Sequence, residues 1–197
     1  NITMGNSQLS GNISASESLS MKSSTFSGQF NTKNFAAEGD CTISCKKNAP
    51  SRISGAVQVE NPVKIALFND AMPGDKLLEV PGSTAANSFA LSDTSGVYGV
   101  VYSEQYNGKY LCLAQRITSE NGKIAVGYEP KIKLVPNDPA RVKLSGFGEQ
   151  IITLNAAWSG NANTSWSADE TPKLTVTLKA DDGYFFDTSF DVTKLQV

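Results

Sequence analysis

The chain has 197 residues, with 17 Lys or Arg, 19 Asp or Glu and no His, so its formal net charge is −2. This length suits one large domain or two small ones, and it can bury a core without disulfide support. The absence of a basic excess argues against nucleic acid as a partner, and the absence of histidine excludes imidazole-based acid–base catalysis, Ser-His and Cys-His pairs, and zinc sites that need imidazole.

The predicted location is outside the cell. No apolar run approaches the roughly 18 residues of a membrane span, so membrane insertion is not expected. The chain begins at Asn1 without a basic or apolar leader, as expected of a mature exported protein. Charged residues make up 18% of a chain rich in Ser, Thr, Asn and Gly, a composition typical of extracellular β proteins. We therefore predict a secreted or cell-surface protein, exported through the periplasm if its source is Gram-negative.

The first predicted element is a long strand over residues 8–22, QLSGNISASESLSMK. Its even positions are polar, and its odd positions are small or apolar with one lapse at Glu17. An alternation with period 2 indicates a strand with one face buried, whereas a helix would scatter these side chains around its circumference. The small or apolar odd positions are Leu9, Gly11, Ile13, Ala15, Leu19 and Met21.

The same period recurs along the rest of the chain, at residues 41–45, 57–67, 124–134, 152–158 and 174–178. Turn signals separate these runs, and Asn107-Gly108 is a strong hairpin signal. Short strands separated by turns predict an all-β fold, specifically an antiparallel, immunoglobulin-like β-sandwich. No internal repeat or linker is visible. We therefore expect an N-terminal extension over residues 1–22, followed by a single sandwich domain over 23–197.

The three cysteines are Cys41, Cys45 and Cys112. They are too few for an all-cysteine zinc site. Four residues of extended strand cover about 13 Å, so Cys41 and Cys45 lie too far apart to bridge each other, because a disulfide needs its Cα atoms within about 7 Å. We expect Cys112 to bridge one of them, with Cys41 favoured, which would indicate an oxidising compartment. The alternative is three reduced core residues.

No motif predicts catalysis, a cofactor or a metal. Ser44 and Lys47 match the S-x-x-K pattern of serine acylases, but they flank a strand end and lack the partner motifs. Asp181, Asp182 and Asp187 cluster around a turn, where Asp is favoured for backbone reasons. They do not follow the EF-hand pattern. We therefore predict that the chain is not an enzyme.

Aromatic side chains are the candidate ligand contacts. Tyr98, Tyr102 and Tyr106 share one face of a predicted strand, and Trp166 lies beside a polar loop. Exposed aromatic rings can stack on sugar rings, but tyrosine is also common in strands because it packs well there. Glycan contact and simple packing therefore both remain open for these residues.

The N-terminal strand resembles the N-terminal extension of chaperone–usher fimbrial (pilus) subunits. In that family each immunoglobulin-like subunit lacks its last strand, and the next subunit supplies it as a donor strand. The resemblance implies β-augmentation, in which apolar side chains fill pockets and a glycine allows close approach. The implied strand-donor residues are Leu9, Gly11, Ile13, Ala15, Leu19 and Met21.

Two functions remain open at this stage. In the first, the chain is a non-catalytic structural subunit of an extracellular bacterial surface fibre, with a second copy, a related subunit or a chaperone as partner. In the second, it is a monomeric secreted β-sandwich module that binds a host glycan or receptor, as an adhesin does. Residues 8–22 could also be an ordinary first strand of a complete domain.

Overall fold

The structure is a computed structural model that describes residues 1–104, 108–118, 124–126, 142–144, 151–158 and 173–191. Contacts divide the chain into two compact units, Asn1–Arg116 and Ile117–Val197. The sequence instead placed a boundary after Lys22. Residues 8–22 lie in the first unit, where they pair with residues 25–38 from Gln8 to Ala15 and again from Ser18 to Lys22.

The regular secondary structure of the described residues is almost entirely β-strand, which confirms the all-β fold. One short helix, α1, covers Ser83–Ala86. No helix in the described ranges is long and apolar enough to cross a membrane. The strands of the first unit are β1 (Ile2–Gly5), β2 (Gln8–Lys22), β3 (Thr25–Glu38), β4 (Thr42–Ser44), β5 (Ser51–Ile53), β6 (Val57–Val59), β7 (Val63–Ala66), β8 (Lys76–Glu79), β9 (Phe89–Leu91), β10 (Tyr98–Ser103) and β11 (Tyr110–Ile117, which ends on the first residue of the second unit).

Successive turns of the first unit stack in parallel. Strand β2 pairs with β3 from Gln8↔Thr25 to Lys22↔Glu38, and β1 pairs with the end of β2. Strand β3 in turn pairs in parallel with β4, β5 and β6 along its length. Each turn of chain therefore lies on the one before it, in the manner of a parallel β-helix.

The stacked strands form three faces. The first face contains the start of β2, the start of β3, then β4, β7 and β9. The second contains the middle of β2 and β3, then β5 and β8. The third contains β1, the ends of β2 and β3, and β6. The chain turns a corner between one face and the next.

The predicted antiparallel pairing is wrong for the strands over residues 2–91, which pair in parallel. Antiparallel pairing does occur between β10 and β11 and between β11 and β8. Alternation reports which side chains face the core and carries no information about the direction of the neighbouring strand. A parallel sheet with one solvent-facing side therefore shows the same pattern as a half-buried antiparallel sheet.

The stacked turns of the first unit wind into a coil, and the core of the unit lies inside it. Phenylalanine rings of one turn, all from β3, contact one another, with ring centroids 5.6 Å apart for Phe26 and Phe30 and 5.8 Å apart for Phe30 and Phe35. Burying a side chain of this size contributes roughly 1.5–3 kcal/mol. One row of core side chains crosses the five strands of the first face: Leu9, Phe26, Ile43, Ile65 and Leu91.

The second unit contains antiparallel ladders. Strand β12 (Ile124–Val126) pairs with β13 (Val142–Leu144), and β14 (Ile152–Trp158) pairs with β15 (Leu174–Ala180). Strand β16 covers Tyr184–Phe186. Its described residues contain a small apolar cluster, formed by Ile117, Ile151 and Ile152 with Leu178, Ala180, Tyr184, Phe186 and Phe190.

Candidate functional site: the open edge of β2

Strand β2 is paired along one edge and only partly along the other. Strand β3 pairs with it from Gln8 to Lys22, whereas β1 pairs only with Leu19–Lys22. No strand of the described residues pairs with residues 8–17 on the side of β1. This segment, the open edge, therefore presents backbone N–H and C=O groups that are available to an added strand.

The open edge also leaves the core of the coil incompletely covered. Leu9 is 40% exposed, whereas Phe26, Ile43 and Ile65 in the same row are 0% exposed. Ile13 is half-buried. The exposure follows from position, because each of the three fully buried residues has a strand on both sides and Leu9 has one only on the side of β3. A further strand beside β2 would cover Leu9 in the same way that β2 covers Phe26.

Two stacked glycines mark the corner between the first and second faces. Gly11 and Gly28 both have positive φ, at 123° and 141°, a region that favours glycine. A Cβ on Gly28 would lie 2.0 Å from the carbonyl oxygen of Gly11, while a Cβ on Gly11 would meet nothing within 4 Å. Beside Gly28, this space is filled by the carbonyl group of Gly11. The equivalent space beside Gly11 is empty.

The covered and open parts of β2 meet at Ser18. Its hydroxyl donates a hydrogen bond to Oδ1 of Asn1 at 2.9 Å. Ile2 then pairs with Leu19, and the parallel ladder of β1 continues to Gly5 and Lys22. The open edge is thus in line with a ladder that has already formed.

The six predicted strand-donor residues all lie on β2. Ala15, Leu19 and Met21 are buried in the core of their own unit, Ile13 is half-buried, and Leu9 and Gly11 are exposed. The strand to which they belong pairs with β3 of the same chain. The structure therefore gathers these residues on one strand, with the exposed ones at the open edge.

The predicted tyrosine row belongs to β10. Tyr98 lies opposite Gln115 and Tyr102 opposite Leu111, and both rings pack against the main core. The Tyr102 hydroxyl is buried and makes no hydrogen bond with the described residues. These positions favour packing over stacking on a ligand. Tyr106 and Trp166 lie outside the described residues.

A shallow groove that the sequence did not reveal lies elsewhere in the first unit. Its polar members include Asp75 and Lys76, and the Lys76 ammonium lies 4.7 Å from the ring centroid of Tyr110. Alternation gives no signal for it, because loop residues that are distant in sequence supply most of its wall. The lining residues are Asn48, Pro50, Phe68, Gly74, Asp75, Lys76 and Tyr110.

In the structure, Cys41, Cys45 and Cys112 are buried and no disulfide joins them. Cys41 lies just before β4 on the first face, while Cys112 lies in β11 beside β8. The Cys45 thiol donates to the carbonyl oxygen of Leu77 at 3.3 Å, and its burial raises its pKa to about 12. The bridge between Cys112 and Cys41 therefore stays a prediction, which thiol labelling can test.

The acidic and basic side chains singled out in the sequence have structural partners. Lys47 forms an ion pair with Asp70, and Asp181 accepts a hydrogen bond of 2.6 Å from the Thr153 hydroxyl. Asp187 accepts hydrogen bonds from the backbone N–H and the hydroxyl of Ser189. Within the described ranges, no three His, Cys, Asp or Glu side chains gather where they could hold a metal ion.

The chain matches no family model, no curated protein and no solved structure.

Proposed function

We propose that this chain is a non-catalytic structural subunit of an extracellular bacterial surface fibre, and that its subunits associate by β-strand addition at the open edge of β2. The observation that carries the proposal is the row of core residues that ends in the exposed side chain of Leu9. Phe26, Ile43 and Ile65 each have a neighbouring strand on both sides. Within the described part of the chain, Leu9 has a neighbouring strand on one side only.

The composition of the open edge supports the proposal. Natural proteins protect sheet edges from other chains with lysine, proline, bulges or a covering loop. Residues 8–17 contain neither lysine nor proline, and Glu17 is their one charged residue. The register shift between Ala15 and Ser18 is the one bulge in β2, and residues 8–15 before it pair with β3 in unbroken register. These residues are suited to accept a strand, because backbone hydrogen bonds supply affinity and alternate side chains supply specificity.

The proposal differs from strand donation in what happens to β2. Removing residues 8–22 from their own unit would break the ladder with β3 and would expose Phe26 and Phe30. Addition to the open edge leaves that ladder intact. Strand β2 is therefore the acceptor in this proposal, with a second copy or a related subunit as the partner and a chaperone to cover the edge before assembly.

The test is solution size as a function of protein concentration, for the wild type and two variants. Ile13→Asp places a charge on the half-buried side of β2. Ser14→Asp, one position later, places the same charge on the exposed side of the strand. We expect the wild type and Ser14→Asp to assemble as concentration rises and Ile13→Asp to remain a folded monomer. A wild type that stays monomeric at every concentration would contradict the proposal.

The sequence predicted an immunoglobulin-like sandwich over residues 23–197, and we propose this fold for the second unit alone. Support comes from its two antiparallel ladders, β12–β13 and β14–β15.

A second candidate function is that of a secreted binding module, and the groove at Tyr110 favours it. Two aromatic rings, Phe68 and Tyr110, line the groove together with Asn48, Asp75 and Lys76. Ligand sites commonly combine apolar walls with a few polar groups in this way. Screening the protein against a glycan array, with Tyr110→Ala as the comparison, tests this candidate. Binding that Tyr110→Ala abolishes would support it.

A further inference from the structure

We propose that the strand added at the open edge has the pattern apolar–x–Gly–x–apolar and runs parallel to β2, with its glycine beside Gly11. This inference rests on the proposed function and specifies the chemistry of the partner. The occupant is an extended segment of a neighbouring subunit. Its two apolar side chains lie beside Leu9 and Ile13, and its x positions are polar and face the solvent.

The pattern follows from how one turn already covers the next. In the β2–β3 ladder, Leu9 lies beside Phe26, Gly11 beside Gly28 and Ile13 beside Phe30. Both strands therefore carry an apolar residue two positions before and two positions after a glycine, and both bend at that glycine. A further strand that covers Leu9 and Ile13 must turn the same corner, so it needs the same spacing.

The glycine requirement comes from the backbone distance at the corner. At Gly28 a side chain would collide with the carbonyl oxygen of the neighbouring Gly11, at 2.0 Å. At Gly11 the equivalent space is empty to 4 Å. A strand that bends at its own glycine would place its carbonyl oxygen in this space, as Gly11 does toward Gly28. Gly11 thus has the conformation of a covered corner without the strand that covers it.

The direction follows from β1. Strand β1 is parallel to β2, and Asn1 contacts Ser18 where the open edge begins. A parallel occupant would therefore end beside Asn1, and its backbone would continue the line of β1. About ten residues at roughly 3.3 Å each are enough to cover residues 8–17.

Peptide binding tests the pattern. The probe is the peptide TFSGQFNT, which is the sequence of residues 25–32. The control, FTSGQNFT, has the same composition, but its phenylalanines are moved one position so that they face the solvent. We expect the probe to bind the full-length protein at least about tenfold more tightly than the control, since each correctly placed apolar side chain contributes on this scale. Equal affinity of the two peptides would overturn the pattern.

A pair of glycine variants tests the position of the corner. Gly11→Ala fills the empty space with a Cβ. Gly96→Ala also places a side chain at positive φ, 75°, where a Cβ meets Arg116 only at an ordinary 3.6 Å. Both variants should fold. We expect Gly11→Ala to weaken binding of TFSGQFNT at least about tenfold, and Gly96→Ala to leave it within about twofold. Unchanged binding to Gly11→Ala would overturn the proposed contact.

Direction is read from a nitroxide on the carboxyl end of the same peptide. A parallel strand should broaden the amide signals of Ile2 and Ser18. An antiparallel strand should broaden those near Leu9 instead, which would contradict the proposal.

The experiments distinguish failure of this inference from failure of the proposed function. If the protein assembles and Ile13→Asp prevents it, but TFSGQFNT and its control bind alike, only the pattern fails. If TFSGQFNT binds as expected but the protein stays monomeric, only the proposed function as a fibre subunit is contradicted.

Discussion

Gly11 and Gly28 have nearly the same backbone conformation, but they make different contacts, because one has a covering turn and the other does not. Their alternating neighbours were correctly predicted to form a strand. The corner itself could not be predicted, because a glycine in an alternating run is equally consistent with a bulge or with close approach of another backbone. The pairing of Gly11 with Gly28, 17 positions later, shows that the glycine allows another backbone to approach closely.

A comparison of the two glycines gives a stability prediction. Gly28→Ala should lower the free energy of unfolding by roughly 2–4 kcal/mol, because it combines positive-φ strain with a collision against the Gly11 carbonyl. Gly11→Ala should cost only the backbone strain, about 1–2 kcal/mol. Urea unfolding of both variants measures the difference. Equal losses would show that the two corners are not packed as described.

The buried thiols give a second prediction at the level of single residues. Cys41, Cys45 and Cys112 are 2%, 8% and 6% exposed, and burial raises the pKa of Cys45 to about 12. A thiol reagent at pH 8 should therefore react slowly with the folded protein. After denaturation without reductant, all three thiols should react. Reaction of a single thiol in the denatured protein would instead indicate the disulfide that the sequence suggested.

The ion pair between Lys47 and Asp70 has a defined pH dependence. The hydrogen bond from Lys47 lowers the pKa of Asp70 below its ordinary 3.8, and the same bond raises the pKa of Lys47 above 10.5. Its stabilisation is therefore full between these ordinary values, and it is lost as pH falls through the Asp70 pKa or rises through the Lys47 pKa. Because both groups are exposed, the effect should be small and sensitive to salt.

Thermal melting of Asp70→Asn measures this effect. The variant should melt slightly below the wild type at pH 7 in low salt and together with it at pH 2. A gap that persists at pH 2 or in 1 M salt would assign the effect to something other than the ion pair.

At the level of strands, alternation identified β2 and several later strands, and it assigned Ala15, Leu19 and Met21 correctly to the buried side. It failed on direction and on the repeat. Residues 8 and 25 stack 17 positions apart, as do residues 25 and 42, but the next step on the first face is from 42 to 64. Loops of growing length break the regular spacing, which explains why the repeat is hard to see in the sequence.

Two members of one core row should differ sharply in their contribution to stability. Phe26→Ala removes a fully buried ring and should cost roughly 3–5 kcal/mol. Leu9→Ala should cost clearly less, about 1 kcal/mol, because 40% of the side chain is already exposed. Denaturant unfolding of the two variants provides the measurement. A loss at Leu9 as large as that at Phe26 would mean that something already covers the open edge.

At the level of the whole molecule, composition limited the possible fold classes, but local patterns did not reveal that the chain divides into two units. The parallel coil of the first unit depends on contacts between turns, and each turn contacts chiefly its neighbours. Proteins built in this way have stabilities that are approximately sums of terms for single turns and for the interfaces between them. A turn with one neighbour is therefore held less firmly than a turn with two.

The half-paired state of β2 has a consequence for amide hydrogen exchange. In an extended strand, successive N–H groups point to opposite edges, so those of residues 8–15, which pair with β3 in unbroken register, alternate between β3 and the solvent. Exchange along this segment should therefore alternate between slow and fast with a period of two residues, whereas both sets should be slow in the part of β3 that has strands on either side. The fast set would act as an internal reporter, since it should become protected only when a strand occupies the edge.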